Sequence, residues 1–86
     1  MPTFQRTETV DAREFTGGLE NAMMICLWVN SNRGTIMYDS ELDIILLSSW
    51  GEIFTVHKTD MVVLRQDGSF EHIRAEDFRL LGYKQV

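Results

Sequence analysis

The chain has 86 residues, a mass of 10.0 kDa and a formal charge of −5 from 8 basic and 13 acidic side chains. That length predicts one domain, 1–86, with a modest core, and 44% apolar with 24% charged residues is a folded rather than a disordered composition. The acidic balance, with Arg6, Arg13, Arg33, Lys58, Arg65, Arg74, Arg79 and Lys84 scattered along the chain, argues against sequence-independent nucleic-acid binding, which draws its affinity from neutralised phosphates.

Cys26 is the single cysteine, so no intramolecular disulfide and no zinc site built on cysteine pairs is expected. The opening Met1-Pro2-Thr3-Phe4-Gln5-Arg6 has no signal-peptide pattern. The longest apolar run, Ala22 to Val29, is far shorter than the roughly 20 residues of a membrane-spanning helix. These features predict a cytoplasmic, reducing setting, no membrane partner and no cofactor.

Thr7 to Phe15 predicts a strand with one wet face, because Val10 and Ala12 alternate with Asp11 and Arg13. Gly17-Gly18 breaks it. Leu19 to Val29 predicts the main helix, with Leu19, Ala22, Met23, Cys26 and Val29 on its apolar stripe and Glu20 near the positive end of its dipole. Met24, Ile25 and Trp28 widen that stripe, so the helix is expected to be covered on more than one side. Asn30 to Gly34 predicts a turn, and Thr35 to Tyr38 a short strand.

Leu42 to Ser48 and Glu52 to His57 predict a hairpin joined through Ser49-Trp50-Gly51. Met61 to Arg65 is a further strand. Asp67-Gly68 between apolar runs predicts a two-residue type I′ hairpin loop, which sets Arg65 opposite Phe70, Leu64 opposite Glu71 and Val62 opposite Ile73. Ala75 to Leu81 predicts a short helical turn stopped by Gly82, followed by an extended Tyr83 to Val86. The predicted fold is therefore α+β: a small, mainly antiparallel sheet packed on one main helix, with a short C-terminal helical turn.

Ile44-Ile45-Leu46-Leu47 and Met61-Val62-Val63-Leu64 do not alternate, so both faces of these strands should be dry. One helix covers one face. The other requires either barrel-like closure of the sheet or a second subunit, and a homodimer is the favoured solution.

Val10-Asp11-Ala12-Arg13-Glu14-Phe15-Thr16-Gly17, Trp28 in the helix, Asp60-Met61-Val62-Val63, Asp67-Gly68-Ser69-Phe70, and the closing Phe78 and Tyr83-Lys84-Gln85-Val86 together resemble a family of small phage-encoded proteins of unknown function. That family's strand of the form Pro-Gly-Asp-Trp-Ile-Ile is matched only in part, since Lys58-Thr59 stands for Pro-Gly and Met61 for the tryptophan. The resemblance implies a phage or prophage origin. It implies no activity and no site residues.

His57 and His72 are the only histidines, and with Glu71 pointing to the opposite face from His72 no metal or acid–base site is expected. Cys26 reads as a small core residue. Gly17-Gly18 reads as a plain strand-to-helix turn rather than an anion loop. Trp50 at a hairpin tip and a cation–π pair of Arg65 with Phe70 are the contact candidates, and Arg33, Trp50, Arg65 and Phe70 are the best available partner- or ligand-binding set. The leading expectation is a non-enzymatic phage accessory protein that binds a host protein, as a homo-oligomer. The rival is a binder of a small nucleotide-like ligand, with its pocket at a subunit interface.

Overall fold

The computed structural model describes residues 10–82. They form β1 (Asp11–Glu14), α1 (Leu19–Ser31), β2 (Thr35–Asp39), β3 (Ile44–Ser49), β4 (Glu52–Val56), β5 (Met61–Leu64), β6 (Phe70–Ile73) and α2 (Ala75–Leu80). The fold is α+β, as the sequence predicts. Its strands are divided between two antiparallel three-stranded sheets, β1-β5-β6 and β2-β3-β4, and do not close into a barrel. Strand β6 lies against β3 and β4 without joining their ladder. The beginning and end of the chain, including the predicted Thr7 to Thr9 and Tyr83 to Val86 pieces, lie outside the described residues.

The core fills the space between α1 and the inner faces of the two sheets. It consists of Phe15, Ala22, Ile25, Val29, Ile45, Leu47, Val56, Val62 and Phe70. Trp28 closes one side, its ring edge-on to Phe70 with centroids 5.6 Å apart and the Arg13 guanidinium 4.6 Å above it. The single cation–π contact among the described residues is thus Arg13 with Trp28, not Arg65 with Phe70.

The helix presents a different stripe from the predicted one. Ala22, Ile25 and Val29 are buried, whereas Leu19 (61%), Met23 (54%), Met24 and Leu27 are exposed. A helix apolar on nearly every side has no periodicity strong enough to fix its rotation. Tertiary packing decides it: Ala22, Ile25 and Val29 enter the core and Trp28 packs against it. Cys26 is half-buried, and that burial pushes its thiol pKa up, which disfavours the thiolate.

The two tight turns are exchanged relative to expectation. The β5–β6 ladder pairs Leu64 with Phe70, Val63 with Glu71, Val62 with His72 and Met61 with Ile73, one residue away from the predicted register. Arg65 pairs with Ser69 through an N–H···O bond of 2.9 Å, and Gly68 donates to the Arg65 carbonyl at 3.0 Å. Only Gly68 has positive φ in this loop (+89°), so it is a three-residue loop of type I turn plus left-handed glycine. Asp67 holds that shape by accepting from the Ser69 backbone N–H and hydroxyl, which lowers the Asp67 pKa. The type I′ turn lies instead at the β3–β4 hairpin, where Trp50 (φ +49°) and Gly51 (φ +83°) are both left-handed between the paired Ser49 and Glu52.

The slipped register places Phe70 on the core face with Val62. Arg65 lies on the opposite face, where its guanidinium pairs with the Glu71 carboxylate. Strand β5 is dry on both faces within one chain, since Val62 and Val63 are both fully buried. Strand β3 is not. Ile45 and Leu47 enter the core, but Ile44 and Leu46 face outward beside the exposed Met37 and Ile53.

A carboxylate from the β2–β3 turn fastens the start of α1. Asp43 Oδ1 accepts from the Gly18 N–H at 2.9 Å and from the Tyr38 hydroxyl at 2.7 Å. The Gly17-Gly18 turn does present an N–H to an anion, and the anion is the chain's own. The Tyr38 hydroxyl, the Gly18 N–H and the nearby Lys58 together hold the Asp43 pKa below its ordinary 3.8, and the same hydrogen bond raises the Tyr38 pKa. A lowered carboxylate pKa stabilises the fold above the unfolded value and is lost as pH falls through the folded one. Asp43→Asn is therefore expected to melt below wild type at pH 7. The gap should close as the pH drops below about 4. A gap that persists unchanged at pH 2 would show that the charge plays no part.

Candidate functional site

The four residues singled out in the sequence come to one end of the molecule, in unequal states. Phe70 is its base. The ring is buried between Val29 and Trp28, and its backbone N–H donates to Ser49 Oγ at 2.9 Å, which ties the start of β6 to the β3–β4 hairpin. It is core, not a binding surface. Arg65 is half-buried and engaged with Glu71. Arg33 and Trp50 are the two that face solvent, and Trp50 is 73% exposed.

Arg33 arrives there through the way α1 ends. Gly34 donates to the Val29 carbonyl at 2.9 Å and Arg33 to the Asn30 carbonyl at 3.2 Å, the paired bonds of a Schellman cap. The left-handed position of that cap is normally glycine. Here Arg33 holds it, at φ +65°, and the glycine comes one residue later. Gly34 is required at its own position because its α-carbon packs directly on Val29 and the Phe70 ring.

Carrying the Thr35–Ser48 register two residues outward brings Arg33 to the same end of the ladder as Trp50. Both residues are left-handed, a conformation that costs an L side chain roughly 1 kcal/mol or more. Neither makes an ion pair or ring contact among the described residues. The result is an exposed guanidinium and an exposed indole, each on strained backbone, above a base of Phe70, Ser49 and Gly34. An indole and a guanidinium so placed have an aromatic face that can stack and N–H donors that can hydrogen-bond, and Trp and Arg are the residue types that most often dominate protein–protein contacts.

A second cluster forms around Asp60, of which the sequence shows only the nearness of Asp60 to His57. Asp60, 8% exposed, is the one buried charged residue among the described residues. Its Oδ2 accepts the His57 backbone N–H at 3.0 Å and has His57 Nδ1 at 3.9 Å and His72 Nε2 at 3.7 Å. Both histidines thus flank one carboxylate. His57 sits three residues before Asp60, but His72 arrives from β6 only because of the register slip, a tertiary event with no local signal. No group of three or more His, Cys, Asp or Glu with the geometry of a metal site occurs among the described residues, and no helix there is long and apolar enough to cross a membrane.

No protein family, curated protein or solved structure matches the chain.

Proposed function

We propose that the chain is a non-enzymatic phage accessory protein that grips a host protein through Arg33 and Trp50. The observation behind this reading is that two large side chains occupy backbone positions suited to glycine or asparagine and are turned to solvent, where they add nothing to the core. Backbone strain without a packing return is the pattern of a site kept for contact.

The test separates binding from folding. Asparagine tolerates left-handed φ, so Trp50→Asn should hold or raise the melting temperature, by a few degrees at most. Immobilised wild-type protein and the Trp50→Asn and Arg33→Asn variants are exposed to bacterial lysate, and the retained proteins are compared by mass spectrometry. A protein retained by wild type and lost from both variants is the expected result. Identical retention by all three would end this reading.

The same proposal includes self-association through the outer face of β2-β3-β4. Met37, Ile44, Leu46 and Ile53 form its centre, and Ile53 is 74% exposed. A face without charge at its centre can meet its own copy despite the −5 of each chain. Light scattering at high micromolar concentration should give about twice the 10.0 kDa chain mass, reverting to 10.0 kDa in Ile53→Lys. A wild-type mass of one chain would remove the dimer.

A further inference from the structure

The outer face of β2-β3-β4 has two unlike ends. One lies beyond the paired Thr35 and Ser48 and carries the exposed Arg33 and Trp50. The other is the turn beyond the paired Asp39 and Ile44, and it carries the exposed Glu41 and Leu42, the latter 68% exposed. The other acids of that turn are engaged. Asp39 Oδ1 accepts from the Glu41 and Leu42 backbone N–H groups at 3.0 and 3.1 Å, and Asp43 holds Tyr38 and Gly18. The Glu41 carboxylate has no hydrogen bond or ion pair among the described residues. A cation and an indole thus stand at one end of an apolar face, and a free carboxylate and an aliphatic side chain at the other.

Area points to the occupant. Exposed aliphatic side chains offer roughly 100 Å² each and an indole about 200 Å², so Met37, Leu42, Ile53 and Trp50, with smaller shares from the half-exposed Ile44 and Leu46, offer about 600 Å². With Arg33 and Glu41 at its rim the face approaches the roughly 800 Å² per partner of a standard interface. The other large apolar surface, Leu19, Met23, Met24 and Leu27 on α1, offers about 400 Å², half of that requirement.

Charge points to the orientation. A twofold axis along the strands stacks like ends, Arg33 on Arg33 and Glu41 on Glu41. A twofold axis across the strands stacks unlike ends. Glu52, the other charge close to Trp50, alternates with Ile53 and lies on the opposite side of the sheet from this face.

We propose that a second copy packs on this face with its strands antiparallel, so that Leu42 of the partner subunit covers Trp50 and Glu41 of the partner subunit pairs with Arg33, each contact occurring twice. The inference rests on the self-association proposed above and adds a rule for the Arg33–Trp50 grip: the dimer covers it, and a host protein competes with the second copy for it.

Sedimentation equilibrium of the full chain measures the dimer dissociation constant. Arg33→Glu and Glu41→Arg, both at exposed positions, should each weaken dimerisation by roughly tenfold or more, because each sets like charges together at both contacts. An equimolar mixture of the two variants should restore it to within about threefold of wild type, since a dimer holding one copy of each has opposite charges at both contacts again. If Arg33→Glu does not fold, Arg33→Asn, which suits left-handed backbone, should weaken the dimer by roughly threefold. A wild-type chain that stays at 10.0 kDa removes the self-association and this inference with it. A wild-type dimer that neither variant weakens overturns the inference alone, and so do weakened variants that mixing does not restore.

Discussion

Gly34→Ala is expected to destabilise the fold by about 2–4 kcal/mol, a large effect for one added methyl group. Gly34 lies where the Schellman cap of α1 turns into β2, and its φ is not left-handed, so conformational freedom is not the reason for a glycine here. Space is. A Cβ at this position would fall inside the van der Waals envelope of Val29 Cγ1 and within 2.8 Å of Phe70 Cε2. Neither neighbour can retreat. Val29 is fully buried on α1, and the Phe70 ring is wedged edge-on against Trp28. Interiors are packed densely enough that a methyl group with no void to enter displaces whole side chains. The measurement is urea unfolding of the variant. Phe70→Leu, costly alone, should be partly relieved in the double variant, because it frees part of the space the methyl group needs. A loss under about 0.5 kcal/mol in Gly34→Ala would show that the contact is loose.

The sequence alone gave no warning of that contact, and the reason is general to this chain. Element identity was legible wherever local chemistry decides it. Gly17-Gly18 stops β1 and Gly82 follows α2, as their backbone freedom predicts. The alternation in Val10 to Arg13 marks a strand with one wet face, and Glu52 to His57 frames a second strand of a hairpin. What failed was decided by shape across the core. Asp67-Gly68 has the composition of a type I′ turn, yet the loop takes a third residue because Phe70 must enter the core beside Val62 rather than face outward. Trp50-Gly51 takes the type I′ form although tryptophan is a poor choice for it, because Ser49 and Glu52 must stay paired. The rotation of α1 was set by burial of Ala22, Ile25 and Val29 in the core with Trp28 packed against it, which the helix's all-round apolarity does not reveal. Among the candidate site residues, exposure at Arg33 and Trp50 was readable from their turns. Burial of Phe70, and the meeting of His57 and His72 at Asp60, followed from a one-residue register slip that no local pattern encodes.

Phe15→Ala should cost about 3–5 kcal/mol, enough to bring a domain of this size close to unfolding. Phe15 is fully buried, and it links the β1–β5 ladder to the other sheet. Its backbone extends the β1–β5 ladder by one step, donating to the Asp60 carbonyl at 2.9 Å and accepting from the Thr59 N–H at 2.7 Å. Its ring meets Tyr38 of the other sheet edge-on, with centroids 6.2 Å apart. Tyr38 in turn donates to Asp43, the carboxylate that holds the Gly18 N–H at the start of α1. Removing the ring therefore leaves a cavity between the sheets and frees Tyr38 to leave Asp43. The two losses are coupled, so Phe15→Ala and Asp43→Asn should be less costly together than the sum of their separate effects, by about 0.5 kcal/mol or more. Phe15→Leu, which restores most of the volume, should cost under about 1.5 kcal/mol. Denaturant midpoints of the three single variants and the one double variant decide the matter. Strict additivity would mean that Tyr38 keeps its hold on Asp43 without the ring, and a cost of Phe15→Ala below about 1 kcal/mol would mean that the two sheets do not share this side chain as their common anchor.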